Sequence, residues 1–68
     1  MKAILRRDGD GYNRIPTAQS IYVDIDAGVK YPCWQPEDLE DYEFSLVILV
    51  GTVVHQVNSI DFDFINTH

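Results

Sequence analysis

Residues 44–57 read FSLVILVGTVVHQV. No other segment of the chain is apolar and β-branched enough to be buried throughout. Its apolar run from Leu46 to Val54, which carries Gly51 and Thr52 inside it, is nine residues long. That is far short of the roughly 20 residues a membrane-spanning helix needs. A buried helix is the competing reading, but five valines, one isoleucine and an internal glycine favour a pleated strand. The segment is therefore expected to be the central strand of a small sheet, with a bulge or tight turn at Gly51.

Around that strand there is room for one domain, residues 1–68. A chain this short buries only about 60% of its unfolded surface, so its stability margin is thin and a deep pocket is not expected. A single cysteine, Cys33, excludes an internal disulfide, and no Cys/His set has metal-ligand spacing. With 46% hydrophobic residues the chain lies above the disordered class. Its start, MKAILRRDG, lacks the apolar core and small-residue cleavage site of a secretory signal, so a cytoplasmic location is expected.

The net charge of −6 is unevenly placed. All five basic residues (Lys2, Arg6, Arg7, Arg14 and Lys30) fall in the first thirty positions, where four aspartates leave +1. Residues 31–68 hold Glu37, Asp38, Glu40, Asp41, Glu43, Asp61 and Asp63 with no lysine or arginine, giving −7. Such a half cannot neutralise itself. It presents a negative field to solvent or to a basic partner, which argues against direct binding to nucleic acid or an anionic membrane.

In chain order, Lys2 to Arg6 reads as a first strand and Asp8-Gly9-Asp10-Gly11 as a turn. Tyr12 to Gln19 has little periodicity and reads as a loop. Ser20 to Asp26 alternates cleanly, setting Ile21, Val23 and Ile25 on one face and Tyr22, Asp24 and Asp26 on the other. Val29 to Pro36 is an aromatic, proline-bracketed connection. A short helix is expected from Pro36 to Tyr42, with Pro36 at its first position, Leu39 and Tyr42 inward, and Glu37, Asp38, Glu40 and Asp41 outward. After the central strand, Asn58-Ser59 turns into a last strand, Ser59 to Ile65, with Ile60, Phe62 and Phe64 inward and Asp61 and Asp63 outward. Asn66 to His68 are expected to fray. This order predicts an α+β fold: a three- to four-stranded antiparallel sheet with one short helix, its inner face including Ile21, Val23, Ile25, Phe62 and Phe64.

Candidate chemistry is sparse. Asp8 and Asp10 begin like an EF-hand loop, but Tyr12 and Gln19 stand where oxygen ligands are required. The strand pairs Asp24/Asp26 and Asp61/Asp63 each set two carboxylates about 6.6 Å apart on one face, and neighbouring strands would bring all four together. That surface could hold a cation, although a solvated outer face is the commoner outcome. Cys33 and His55 invite a nucleophile and base, yet a cysteine beside Trp34 is more often a packing residue. Trp34 and Tyr42, with Tyr31, form either an interaction hot spot or a cover for the core. No enzyme, cofactor or metal is therefore expected.

In size, charge and absence of chemistry the chain resembles the small acidic phage-encoded inhibitors of bacterial defence, the anti-CRISPR and anti-restriction proteins. The resemblance is one of type and covers no motif. It implies an inhibitor that binds a basic protein surface, such as the nucleic-acid groove of a CRISPR effector or nuclease, and in one form mimics nucleic acid. Carboxylates two residues apart on a strand have roughly the spacing of backbone phosphates, which suits such a groove. The residues expected to meet the partner are Glu37, Asp38, Glu40, Asp41, Asp24, Asp26, Asp61, Asp63, Trp34 and Tyr42. The alternative is a small structural or assembly subunit acting through homo-oligomerisation, so the chain is expected to be a monomer or a homodimer.

Overall fold

The long apolar run forms two strands and not one. The computed structural model describes residues 1–6 and 12–65, and among them seven strands follow in order: β1 Lys2–Leu5, β2 Tyr12–Pro16, β3 Tyr22–Asp26, β4 Tyr31–Trp34, β5 Leu46–Val50, β6 Val53–Val57 and β7 Phe62–Ile65. The expected Asp8-Gly9-Asp10-Gly11 turn and the fraying of Asn66 to His68 lie outside the described residues. Gly51 takes φ +65°, and Thr52 is not among the residues with positive φ. A two-residue turn with positive φ only at its first position is type II′, the connection whose twist suits a hairpin.

Five strands form one sheet in the order β6-β5-β4-β1-β7, and β2 and β3 form a two-stranded sheet. All pairings are antiparallel. The β2–β3 hairpin is tied to β6 by a bridge between Thr17 and Val57 and by the Ala18 amide donating to the Gln56 carbonyl at 2.9 Å. It places Ile15, Val23 and Ile25 against Ala3, Leu5, Cys33, Leu46, Ile48, Val57 and Phe62 to make one core. The Asp26 amide donates to the Tyr31 hydroxyl at 2.9 Å and links β3 to the larger sheet.

The expected α+β fold is corrected: the described residues are nearly all-β, and their only helical pieces are 3-10 turns at Glu37–Leu39 and Ser59–Asp61. The predicted helix from Pro36 to Tyr42 fails for a local reason. Glu37 would stand three and four residues from Glu40 and Asp41, where like charges repel, and no side chain caps its start. A segment of that length is also well below what an isolated helix needs. Tyr42 is exposed and Leu39 only half-buried, so neither forms the expected inward face.

Other strand expectations change as well. Tyr12 to Gln19 is largely strand β2, and the aromatic connection contains β4, which is the middle strand of the sheet. Proline argues against a central strand because it cannot donate to the ladder. Here β4 divides its partners: Tyr31 and Pro32 pair with β1, whereas Cys33 and Trp34 pair with β5. One missing donor is thus tolerated. Ile21 precedes β3 within the turn and is 54% exposed, and Phe64 at the end of edge strand β7 is 42% exposed, so neither joins Val23, Ile25 and Phe62 in the core. Ile60, placed inward by the alternation, lies in the second 3-10 turn and is exposed. No helix among the described residues is long and apolar enough to cross a membrane.

Candidate functional site

The acidic cluster sits in the connection between β4 and β5, residues 35–45. Pro36 enters it in an extended conformation, and the amides of Leu39, Glu40 and Tyr42 then donate in succession to the carbonyls of Pro36, Glu37 and Leu39. These tight turns hold Glu37, Asp38, Glu40, Asp41, Tyr42 and Glu43 outward, all exposed, while Leu39 is half-buried. At the far end the Gln56 side-chain amide donates to the Phe44 carbonyl at 2.6 Å, and Ser45 is buried. The Asn58 amide reaches the Glu43 carboxylate at 3.4 Å. Among the described residues none of Glu37, Asp38, Glu40 and Asp41 makes an ion pair. Trp34, the last residue of β4, is 45% exposed beside this loop, and Tyr42 within it is 63% exposed.

The strand carboxylates are dispersed. Asp24 lies exposed on β3 opposite Arg14, whose guanidinium stands 5.2 Å from the centre of the Tyr22 ring. Asp26, at the strand end, is half-buried. Asp63 lies on β7 and accepts from the Arg6 Nε at 2.8 Å, so it has a basic neighbour that sequence distance concealed. Asp61 belongs to the second 3-10 turn and not to the strand. Because β3 and β7 are in different sheets, the four carboxylates do not form the shared ladder that neighbouring strands would give. No three His, Cys, Asp or Glu side chains among the described residues are grouped to hold a metal ion.

Cys33 and His55 both pair with Ile48, from opposite sides, and therefore share the inner face with one strand between them. Two strand spacings are about 9.6 Å, beyond hydrogen-bond reach. Burial pushes the Cys33 thiol up from its ordinary value, with the N-terminal ammonium and Lys2 pulling less strongly the other way. A protonated buried thiol is a poor nucleophile.

Two features of the structure lie outside the sequence expectations. An open cleft of about 320 Å³ lies between the β2–β3 turn and the acidic loop, with Pro16, Ile21, Tyr22 and Phe44 among its walls. The second is the outer face of the five-stranded sheet, where Val47, Leu49 and Val54 join Trp34. Its signal was present in 44–57, which is apolar in both phases of a strand. No protein-family model, curated protein or solved structure matches the chain.

Proposed function

We propose that the chain is a small acidic binding protein that inhibits a nucleic-acid-binding complex in the cytoplasm, of the anti-CRISPR or anti-restriction type, by occupying a basic protein surface. It acts by binding and performs no chemistry of its own. The carrying observation is the loop 35–45, whose exposed carboxylates Glu37, Asp38, Glu40 and Asp41 lie between two exposed aromatic residues, Trp34 and Tyr42, with an exposed fifth, Glu43, just after them. Charge of one sign steers a basic partner, and aromatic side chains supply the contact area that screened charge does not. Asp24 and Asp26 on β3, and Asp61 and Asp63 around β7, contribute to the field from other sides and form a weaker contact set.

The test is a capture of partners from bacterial lysate with the tagged chain at low and high salt. It is paired with the variant Glu37→Gln, Asp38→Asn, Glu40→Gln, Asp41→Asn. Exposed charges are screened beyond about 8 Å at physiological ionic strength, so the partner should be a nucleic-acid-binding protein, held at low salt and released at high salt. It should be lost with the variant, and the complex should fail to bind its nucleic acid. A partner retained equally by the variant at both salt concentrations overturns the reading.

A further inference from the structure

We propose that the outer face of the five-stranded sheet is the apolar centre of the docking site, and that its occupant is a protein surface carrying apolar side chains flanked by lysine or arginine. The proposal rests on the reading of the acidic loop as the partner-binding element and adds where the partner's apolar contacts fall.

Register fixes which side chains share this face. Trp34 pairs with Val47 and Val47 with Gln56, making one row, while Leu49 pairs with Val54. Pro32, Lys2 and Ile65 form a second row through β4, β1 and β7, with Ile4 beside them. The burial pattern agrees with this parity. Leu46 and Ile48 are buried on the inner face, whereas Val47 between them and Leu49 just beyond are half-exposed, and Val54 and Trp34 are 54% and 45% exposed. Strands apolar on both faces belong where both faces are covered. Among the described residues, the β2–β3 hairpin covers the inner one alone.

Charge decides the occupant. The Trp34–Val47–Gln56 row is the end of the sheet that adjoins the acidic loop, and the bond from Gln56 to the Phe44 carbonyl joins loop backbone to row. The apolar centre therefore has a rim of carboxylates on that side. A second copy docked here would bring five more carboxylates to the same interface. Among the described residues the face offers only Lys2 in return, since Arg6 is engaged by Asp63. Like charges around a shared interface are costly, and opposite charges set register and on-rate. A basic-rimmed partner satisfies both the apolar centre and the rim.

Trp34 is the only tryptophan, so its fluorescence reports on this face where it borders the acidic loop. The probes are a synthetic peptide alternating lysine with leucine, an oligolysine of equal charge and a neutral peptide alternating serine with leucine. The lysine–leucine peptide should blue-shift Trp34 and shield it from acrylamide. Oligolysine should associate at low salt without shielding, and the neutral peptide should not bind. Val47→Thr with Val54→Thr keeps β-branched shape and should weaken the lysine–leucine peptide about tenfold while leaving oligolysine unchanged, because only an apolar contact is lost. The single Val54→Thr variant, at a more exposed position, serves if the pair lowers the melting temperature. Loss of binding on the face variant alone would sink the loop reading and leave the apolar face standing. Loss on the loop-neutralised variant alone would overturn the apolar face, as would equal shielding by oligolysine. A chain that elutes as a dimer with Trp34 already shielded assigns the face to a second copy and overturns the proposal.

Discussion

The two hairpins, β2–β3 and β5–β6, are built on the same plan and serve opposite ends. Each joins two five-residue strands in five register pairs. In β2–β3 the aliphatic side chains occupy one phase only: Ile15, Val23 and Ile25 enter the core while Arg14, Pro16, Tyr22 and Asp24 face out. In β5–β6 both phases are apolar, so Leu46, Ile48 and Val57 are buried and Val47, Leu49 and Val54 lie on the other side. A single-phase hairpin is finished once it covers a core. A double-phase hairpin is finished only when something covers its second face, and in this chain that second face adjoins the acidic loop.

The sharpest way to break this comparison is to cut the same strand on its two faces. Ile48 is fully buried, so Ile48→Ala should cost about 3 kcal/mol, enough to leave so small a domain largely unfolded. Leu49→Thr, one residue on, should cost about 1 kcal/mol or less, since the side chain is half-exposed and threonine suits a strand. Urea denaturation measures both. Equal losses would mean that the two faces of β5 are equally embedded, and the hairpins would then not differ in the way described.

A smaller effect sharpens the comparison at the turns. Gly51 and Ser20 both have positive φ, +65° and +64°, but only the first is glycine. Apart from Gly51 and its two chain neighbours, no residue comes within 4 Å of the position a Gly51 side chain would take, so the cost of Gly51→Ala is conformational. It should be about 1–2 kcal/mol. Ser20→Gly should raise stability by about 0.5 kcal/mol, relief of strain being partly offset by greater freedom of the unfolded chain. Thermal melting of the pair checks both signs. A stabilising Gly51→Ala would overturn the type II′ assignment of the β5–β6 turn.

These same elements show what could be read from the residues. The alternation of 22–26 was legible because one phase is polar, and the exposure of Glu37, Asp38, Glu40 and Asp41 was legible because nothing basic is near them in sequence. Strand β4 was not, since Pro32 in the middle of a sheet is allowed only by a division of partners that tertiary structure supplies. Ile21 fits the alternation yet lies in a turn, and Phe64 fits it yet sits 42% exposed at the end of an edge strand, where parity alone does not secure cover. The apolar outer face was hidden by the strength of the signal in 44–57. When both phases are apolar, period-two patterning cannot say which one meets the core.

The smallest expected effect concerns how dry the face under the β2–β3 hairpin is. Cys33 is 6% exposed and pairs with Ile48, so its thiol reports on the same core that Ile48 fills. Burial favours the neutral thiol and raises its pKa in the folded chain above the ordinary value of 9.0. The folded state thus keeps its proton to higher pH than the unfolded state does. The resulting stability is fully present below pH 9.0 and is lost as pH rises from there through the folded value. Cys33→Ala removes the titration at a cost in packing that does not depend on pH. The stability difference between parent and Cys33→Ala, measured by urea denaturation between neutral pH and pH 10.5, should therefore narrow as pH climbs past 9.0. A constant difference would mean that water reaches Cys33, and that the single-phase hairpin covers its side of the sheet less completely than its buried residues indicate.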